Sequence, residues 1–173
     1  MNLFISISFD SESKEALHRH MKLLFEKCES GSFTKKENIH LTLAYIGETT
    51  QIGAVVETLD EIQSQEFEIE LADGGAFKRS GGDIYWLGIK KTPELVKLQK
   101  LMYRNLFRKG VIKEKNDFKP HLTVSRDTVI DKGVVPEAFI EMKIPIRRIS
   151  LMKVEATREG NVYTEVYARE LGN

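Results

Sequence analysis

One short pattern, used twice, limits what this chain can fold into. Ile39-His40-Leu41-Thr42-Leu43-Ala44-Tyr45-Ile46-Gly47 returns as Pro120-His121-Leu122-Thr123-Val124-Ser125-Arg126. Both copies alternate polar and apolar side chains, the pattern of a strand with one buried face. His40 and Thr42 then share one face, with Leu41 and Leu43 on the other. His121 and Thr123 stand likewise against Leu122 and Val124. The spacing between the copies is informative in itself. His121 follows His40 by 81 positions, and Tyr85 follows Phe4 by the same 81. One offset superposes first strand on first strand and motif on motif, with a helix between them in each half. We read this as an internal duplication: one domain, residues 1–173, made of two similar lobes at about 1–75 and 76–173. Approximate two-fold symmetry would set the two motif faces opposite each other across a cleft, which becomes the candidate site.

The rest of the chain supplies ordinary elements around these strands. Leu3, Ile5, Ile7 and Phe9 alternate along a first strand, and Asp10 or Ser11 can cap the helix that follows. Leu17, Met21, Leu24, Phe25 and Cys28 have helical spacing, with Gly31 just beyond the expected end. His18 and His20 lie two apart, so they cannot share that stripe, and both read as incidental. A second helix is expected from Ile52 to Ser64, then a strand at Phe67, Ile69 and Leu71 with an acidic outer face. Gly74-Gly75 and Gly81-Gly82 read as the junction between halves. Ile84 to Lys90 is a strand apolar on both faces. Thr92-Pro93 starts a helix with Leu95, Leu98, Leu101, Met102 and Leu106 buried, closed by Lys109-Gly110. A short helical piece near Pro136 to Glu141 and strands at Ile144 to Glu155 and Val162 to Arg169 complete the chain, with Gly160-Asn161 in the last turn.

Composition excludes several classes of chemistry. The formal net charge is +0, so any nucleic-acid contact must come from a local basic patch. The single Cys28 rules out a disulfide framework and a cysteine-rich zinc site. No run resembles a membrane span or signal peptide, and the default expectation is a cytoplasmic protein. Two histidines across a phosphate-sized gap can serve as general base and general acid in an in-line displacement. With ordinary pKa values near 6.5, one can be neutral while the other is charged. The threonine hydroxyls would hold the non-bridging oxygens as charge builds there. No metal and no cofactor is called for by these motifs.

The paired His-Leu-Thr-aliphatic motifs resemble the signatures of the two-histidine phosphoesterase superfamily. The likeness is greatest to the RNA 2′,3′-cyclic phosphodiesterases, also called 2′-5′ RNA ligases. It extends through Asn38 to Gly47, Phe77, Tyr85-Trp86-Leu87-Gly88 and Phe118-Lys119-Pro120 to Arg126, and covers essentially the whole chain. The resemblance implies an α/β chain of the α+β type: a bilobal duplicated fold whose two mainly antiparallel sheets line a central V-shaped cleft, with helices outside. It also implies hydrolysis of an RNA or nucleotide 2′,3′-cyclic phosphate to a 2′-phosphomonoester, reversible as ligation. By matching positions, His40 would protonate the leaving 3′ oxygen, His121 would activate water, and Thr42 and Thr123 would grip the phosphate. Near-symmetry leaves the acid and base roles interchangeable.

Two departures matter. The family often has a serine at the end of the penultimate strand, where this chain has Glu155. Arg126 matches an arginine that closes the second motif and binds phosphate or stacks on a base, yet strict alternation turns it away from His121 and Thr123. It reaches the cleft only if the strand ends or bulges there. Phe4 and Tyr85 are out of phase with Leu3 and Ile84 and offer either a ring to a nucleobase or core packing. Trp86 reads as core. Lys35-Lys36, Lys78-Arg79, Lys113 and Lys115 are local basic groups. The expected partner is an RNA end, met by a monomer. Alternative readings are a phosphodiesterase acting on another cyclic phosphate, such as an ADP-ribose cyclic phosphate, and a noncatalytic RNA-binding module.

Overall fold

The computed structural model describes residues 1–114, 116–130 and 141–172. The first strand, β1 (Asn2–Ile7), leads into α1 (Ser11–Phe25), whose first turn is capped by the Asp10 carboxylate accepting from Ser13 N at 2.7 Å. Leu17, Met21 and Leu24 are buried along it, as their spacing requires. The helix ends sooner than its apolar stripe suggests. Cys28 opens a strand instead, β2 (Cys28–Phe33), which pairs antiparallel along the second motif strand. Its Ser and Gly residues carry no alternation, because an edge strand solvated on both sides needs backbone pairing and little burial.

A single 3-10 turn at Lys36–Asn38 precedes β3 (Leu41–Glu48), and α2 follows at Ile52–Asp60, four residues short of the expected Ser64. Strand β4 (Phe67–Phe77) runs straight through Gly74-Gly75, so that pair is no junction. The two glycines sit opposite Leu87 and Trp86 of β5 (Asp83–Ile89). A Cβ on Gly75 would stand 2.4 Å from Trp86 Cζ2, so the glycine makes room for the indole. Gly81-Gly82 does form the turn, Gly82 with φ +122° against the Asp127 backbone. Helix α3 (Pro93–Arg108) has Thr92 as its cap and Pro at its start, with Leu95, Leu98, Met102 and Leu106 buried as expected and Leu101 only half-buried. Then come β6 (His121–Ile130), β7 (Lys143–Ile146), β8 (Arg148–Thr157) and β9 (Gly160–Glu170). The stretch expected as one strand from Ile144 is thus two, broken at Arg147. The helical piece expected at 136–141 lies outside the described residues apart from Glu141, as does Lys115.

The molecule is an α+β fold of two antiparallel sheets, ordered β3-β1-β8-β9 and β2-β6-β5-β4-β7. Read outward from the motif strands, β3-β1-β8-β9 corresponds to β6-β5-β4-β7, with β2 as an addition on one side only. Each sheet takes strands from both ends of the chain: β4 joins the second motif's sheet, while β8 and β9 join the first's. The helices cross over too, α1 packing against β2 and β6 and α3 against β3. The apolar core runs between sheets and helices, from Leu3, Ile5 and Ile7 through Leu87 and Leu122 to Ile149 and Leu151. Arg147 is the only residue between β7 of one sheet and β8 of the other. Its guanidinium meets Asp10, just after β1, at 3.1 Å and Glu66, just before β4, at 3.5 Å.

Candidate active site

Both motif strands are interrupted at the same place. Along β3 the partner on β1 jumps from Thr42↔Ser6 to Ala44↔Ile5, leaving Leu43 as an extra residue. Along β6 the partner on β5 jumps from Thr123↔Trp86 to Ser125↔Tyr85, leaving Val124 extra. Leu43 and Ala44 are both buried, as are Val124 and Ser125. Each bulge shifts the alternation by one residue. Arg126 thereby returns to the face of His121 and Thr123, which strict alternation denied it. Its counterpart 81 positions earlier, Tyr45, is exposed and donates its hydroxyl to Asn2 Oδ1 at 2.9 Å.

The two histidines are held in the same way. His40 Nδ1 lies 2.7 Å from Asn38 O, and His121 Nδ1 lies 2.7 Å from Lys119 O. A carbonyl only accepts, so each Nδ1 carries the proton and each Nε2 is left for other work. Aromatic rings brace both imidazoles. Phe4 lies 4.9 Å from His40 and Tyr163 meets it edge-on at 5.1 Å. Phe77 meets His121 edge-on at 5.1 Å, with Trp86 at 6.2 Å. Phe4 is therefore buried beneath a candidate ring and offers no face to a base, while Tyr85 is fully buried core. Trp86, read as core, borders His121 instead.

Burial sets the charge state of His40. Burial holds His40 well below the ordinary histidine range, at about 4; the bond to Asn38 O opposes this, while the charges of Arg126, His121 and Lys14 add to it. His40 in the free protein is consequently neutral near pH 7. Thr123 and Arg126 of the second motif line the same cleft as His40 of the first, whereas His121 and Thr42 are not among the residues lining it.

A cleft of about 370 Å³ opens beside His40. Thr123 and Arg126 line it from β6, Ser32 and Phe33 from β2, and Arg158 to Asn161 from the β8–β9 hairpin, with Lys35, Asn38 and Tyr163 completing the wall. Thr42 stays on the His40 face of β3, half-buried opposite Ser6. Among the basic groups singled out in sequence, Lys35 borders the cleft. Lys36 is turned to Glu15 at 2.8 Å and Lys78 to Asp83 at 2.6 Å. Glu155 sits near the end of β8, paired with Lys153 at 2.7 Å. His20 is buried in α1 and His18 packs on Phe33 at 5.1 Å; neither lines the cleft. Tyr163, Arg158 and β2 were not anticipated. No cluster of three or more His, Cys, Asp or Glu among the described residues is placed to hold a metal ion.

A model of the 2′-5′ RNA ligase superfamily matches residues 9–156. The chain belongs to that superfamily. An RNA 2′,3′-cyclic phosphodiesterase of Archaeoglobus fulgidus is 30% identical over 176 residues, covering 96% of this chain and 98% of that protein. Its namesake in Escherichia coli K12 is 29% identical, covering 79% and 78%. In three dimensions E. coli LigT, solved in complex with 3′-AMP, superposes with a TM-score of 0.81 at 24% identity, covering 99% of this chain and 98% of that one. A Thermus thermophilus protein superposes at 0.82 and 19%. These likenesses establish the 2′-5′ RNA ligase fold across nearly the full length.

Proposed function

We propose that this protein is an RNA 2′,3′-cyclic phosphodiesterase, hydrolysing a ribose 2′,3′-cyclic phosphate to a 2′-phosphomonoester. The observation that carries the reading is the doubled histidine mount: two imidazoles, each with Nδ1–H on the carbonyl two residues before it and each braced by two aromatic rings, in a chain of this superfamily. In the reaction, water attacks phosphorus while one Nε2 takes its proton. The bond from phosphorus to the 3′ oxygen breaks, and the other imidazolium gives that oxygen a proton. Thr42, Thr123 and Arg126 hold the non-bridging oxygens, and their bonds strengthen as charge gathers there. No step draws on a cofactor. Both motifs come from one chain, which supports a monomer; with RNA ends as substrate, the cytoplasm is the proposed site of action.

The motif likeness assigns His40 as acid and His121 as base. One observation favours the exchange: free His40 is neutral near pH 7, which is the form a base needs. As the acid, His40 must take up a proton when the phosphate anion arrives. The test is nucleotide 2′,3′-cyclic phosphate with EDTA present. His40→Ala and His121→Ala should each lower kcat by about 10²–10⁴-fold, and wild-type rates in either variant would end the proposal. A substrate with sulfur in place of the 3′ oxygen needs little protonation on departure. The alanine variant that this substrate rescues identifies the acid.

A further inference from the structure

The pseudo-two-fold machinery treats both sides of a phosphorus atom alike, and two pieces break that symmetry. Strand β2 adds to one sheet only, and the β8–β9 hairpin reaches the His40 side of the cleft. Each piece brings a cation, Lys35 just after β2 and Arg158 at the hairpin tip. Together with Arg126 they set three cations against one carboxylate, Glu159, around a single cleft in a chain of net charge +0. None of the three forms an ion pair with a described residue, whereas Lys36, Lys78 and Lys153, which do not line the cleft, each pair with a carboxylate.

Both cations stand on segments tied to the site. Thr34 Oγ1 donates to Thr123 O at 2.8 Å, fixing the chain just before Lys35 to the second motif. Asn38 Nδ2 donates to Asn161 O at 3.4 Å, joining the hairpin to the turn whose carbonyl holds His40. Within the hairpin, Thr157 Oγ1 donates to Gly160 O at 2.6 Å and accepts from Glu159 N at 3.2 Å. A cleft of about 370 Å³ is far larger than one phosphate and within the range of nucleotide-sized ligands.

We infer that Lys35 and Arg158 form a second phosphate subsite, which takes the 5′ phosphodiester of the nucleotide bearing the cyclic phosphate. The inference rests on the proposed function and narrows it: the favoured substrate is the end of an RNA strand, not a free nucleotide, and the strand leaves along β2 and the hairpin. Single-strand binding through phosphates is salt-dependent, with a slope near −0.7 per phosphate neutralised.

The experiment compares a nucleoside 2′,3′-cyclic phosphate with a tetranucleotide ending in the same group, across a KCl series. Wild type should favour the tetranucleotide by about tenfold or more in kcat/KM at low salt. That ratio should fall with salt at a slope of roughly −0.7, for the one additional phosphate held. Lys35→Ala and Arg158→Ala should each reduce the ratio, Arg158→Lys less so, and the double alanine variant should bring it close to one and flatten the salt series. A ratio near one in wild type, or one the double variant leaves intact, overturns the subsite. Fluorescence anisotropy of a labelled tetranucleotide 2′-phosphate provides a readout independent of turnover. If neither substrate is hydrolysed, the proposed activity fails, and binding alone decides the subsite: about tenfold weaker in the double variant supports it, equal affinity refutes it.

Discussion

At His40, burial and one carbonyl act in opposite directions on a single proton. Burial disfavours the charged ring more than Asn38 O favours it, and the folded pKa falls from an ordinary value near 6.5 to about 4. The sign for stability follows. Between those values the unfolded chain binds the proton and the folded chain does not, so stability is lost as pH falls from about 6.5 to about 4. Thermal melts should show this decline in wild type, and His40→Gln should flatten it across that window. An unchanged slope would mean that the ring is not shielded as described. Inorganic phosphate should oppose the decline, because an anion in the cleft favours the imidazolium. The paired motif strands were legible in the sequence because a doubled motif at one offset leaves few other readings. Their supports were harder to see. Asn38 and Lys119 act through backbone carbonyls, which any residue possesses, and Tyr163 reaches His40 from a strand more than a hundred residues on.

At the scale of elements, two bulges decide which residues meet. An alternation rule carried through Val124 and Ser125 turns Arg126 away, and only the register jump against Tyr85 and Trp86 restores it. Periodicity records how many residues a strand has but not where its partner skips one. The same limit explains β2, whose Ser-Gly-Ser run is held by pairing to β6 and not by its own side chains. It also explains Gly74-Gly75, where glycine marks a close approach of an indole and not a turn. That approach is testable. Gly75→Ala places a methyl 2.4 Å from Trp86 Cζ2, so the indole must move, and Trp86 borders His121. We expect a loss of about 1–3 kcal/mol in urea titrations and a lower kcat. A variant as stable and active as wild type would show that the indole has room to spare. The long, strongly periodic α3 needed no correction, since its cap, first-turn Pro and leucine stripe all agree.

The whole molecule is more interwoven than its repeat suggests. The offset of 81 is a relation of sequence, while hydrogen bonding assigns β4 to one sheet and β8 with β9 to the other. A cut at residue 75 falls inside β4 and leaves neither fragment a complete sheet. Separately expressed halves should therefore lack native β-sheet by circular dichroism, and two independently folded fragments would contradict the topology. Activity per chain should stay constant on dilution, as one chain holds both motifs. The joint at Arg147 bears on how the enzyme would handle ligands. One residue is too short a tether for the sheets to swing apart, and its guanidinium grips Asp10 at the root of one jaw and Glu66 at the root of the other. With strands also traded between the jaws, we expect a caliper of fixed setting: structures with and without a bound nucleotide 2′-phosphate should show the same gap, and a narrower gap around the ligand would contradict it.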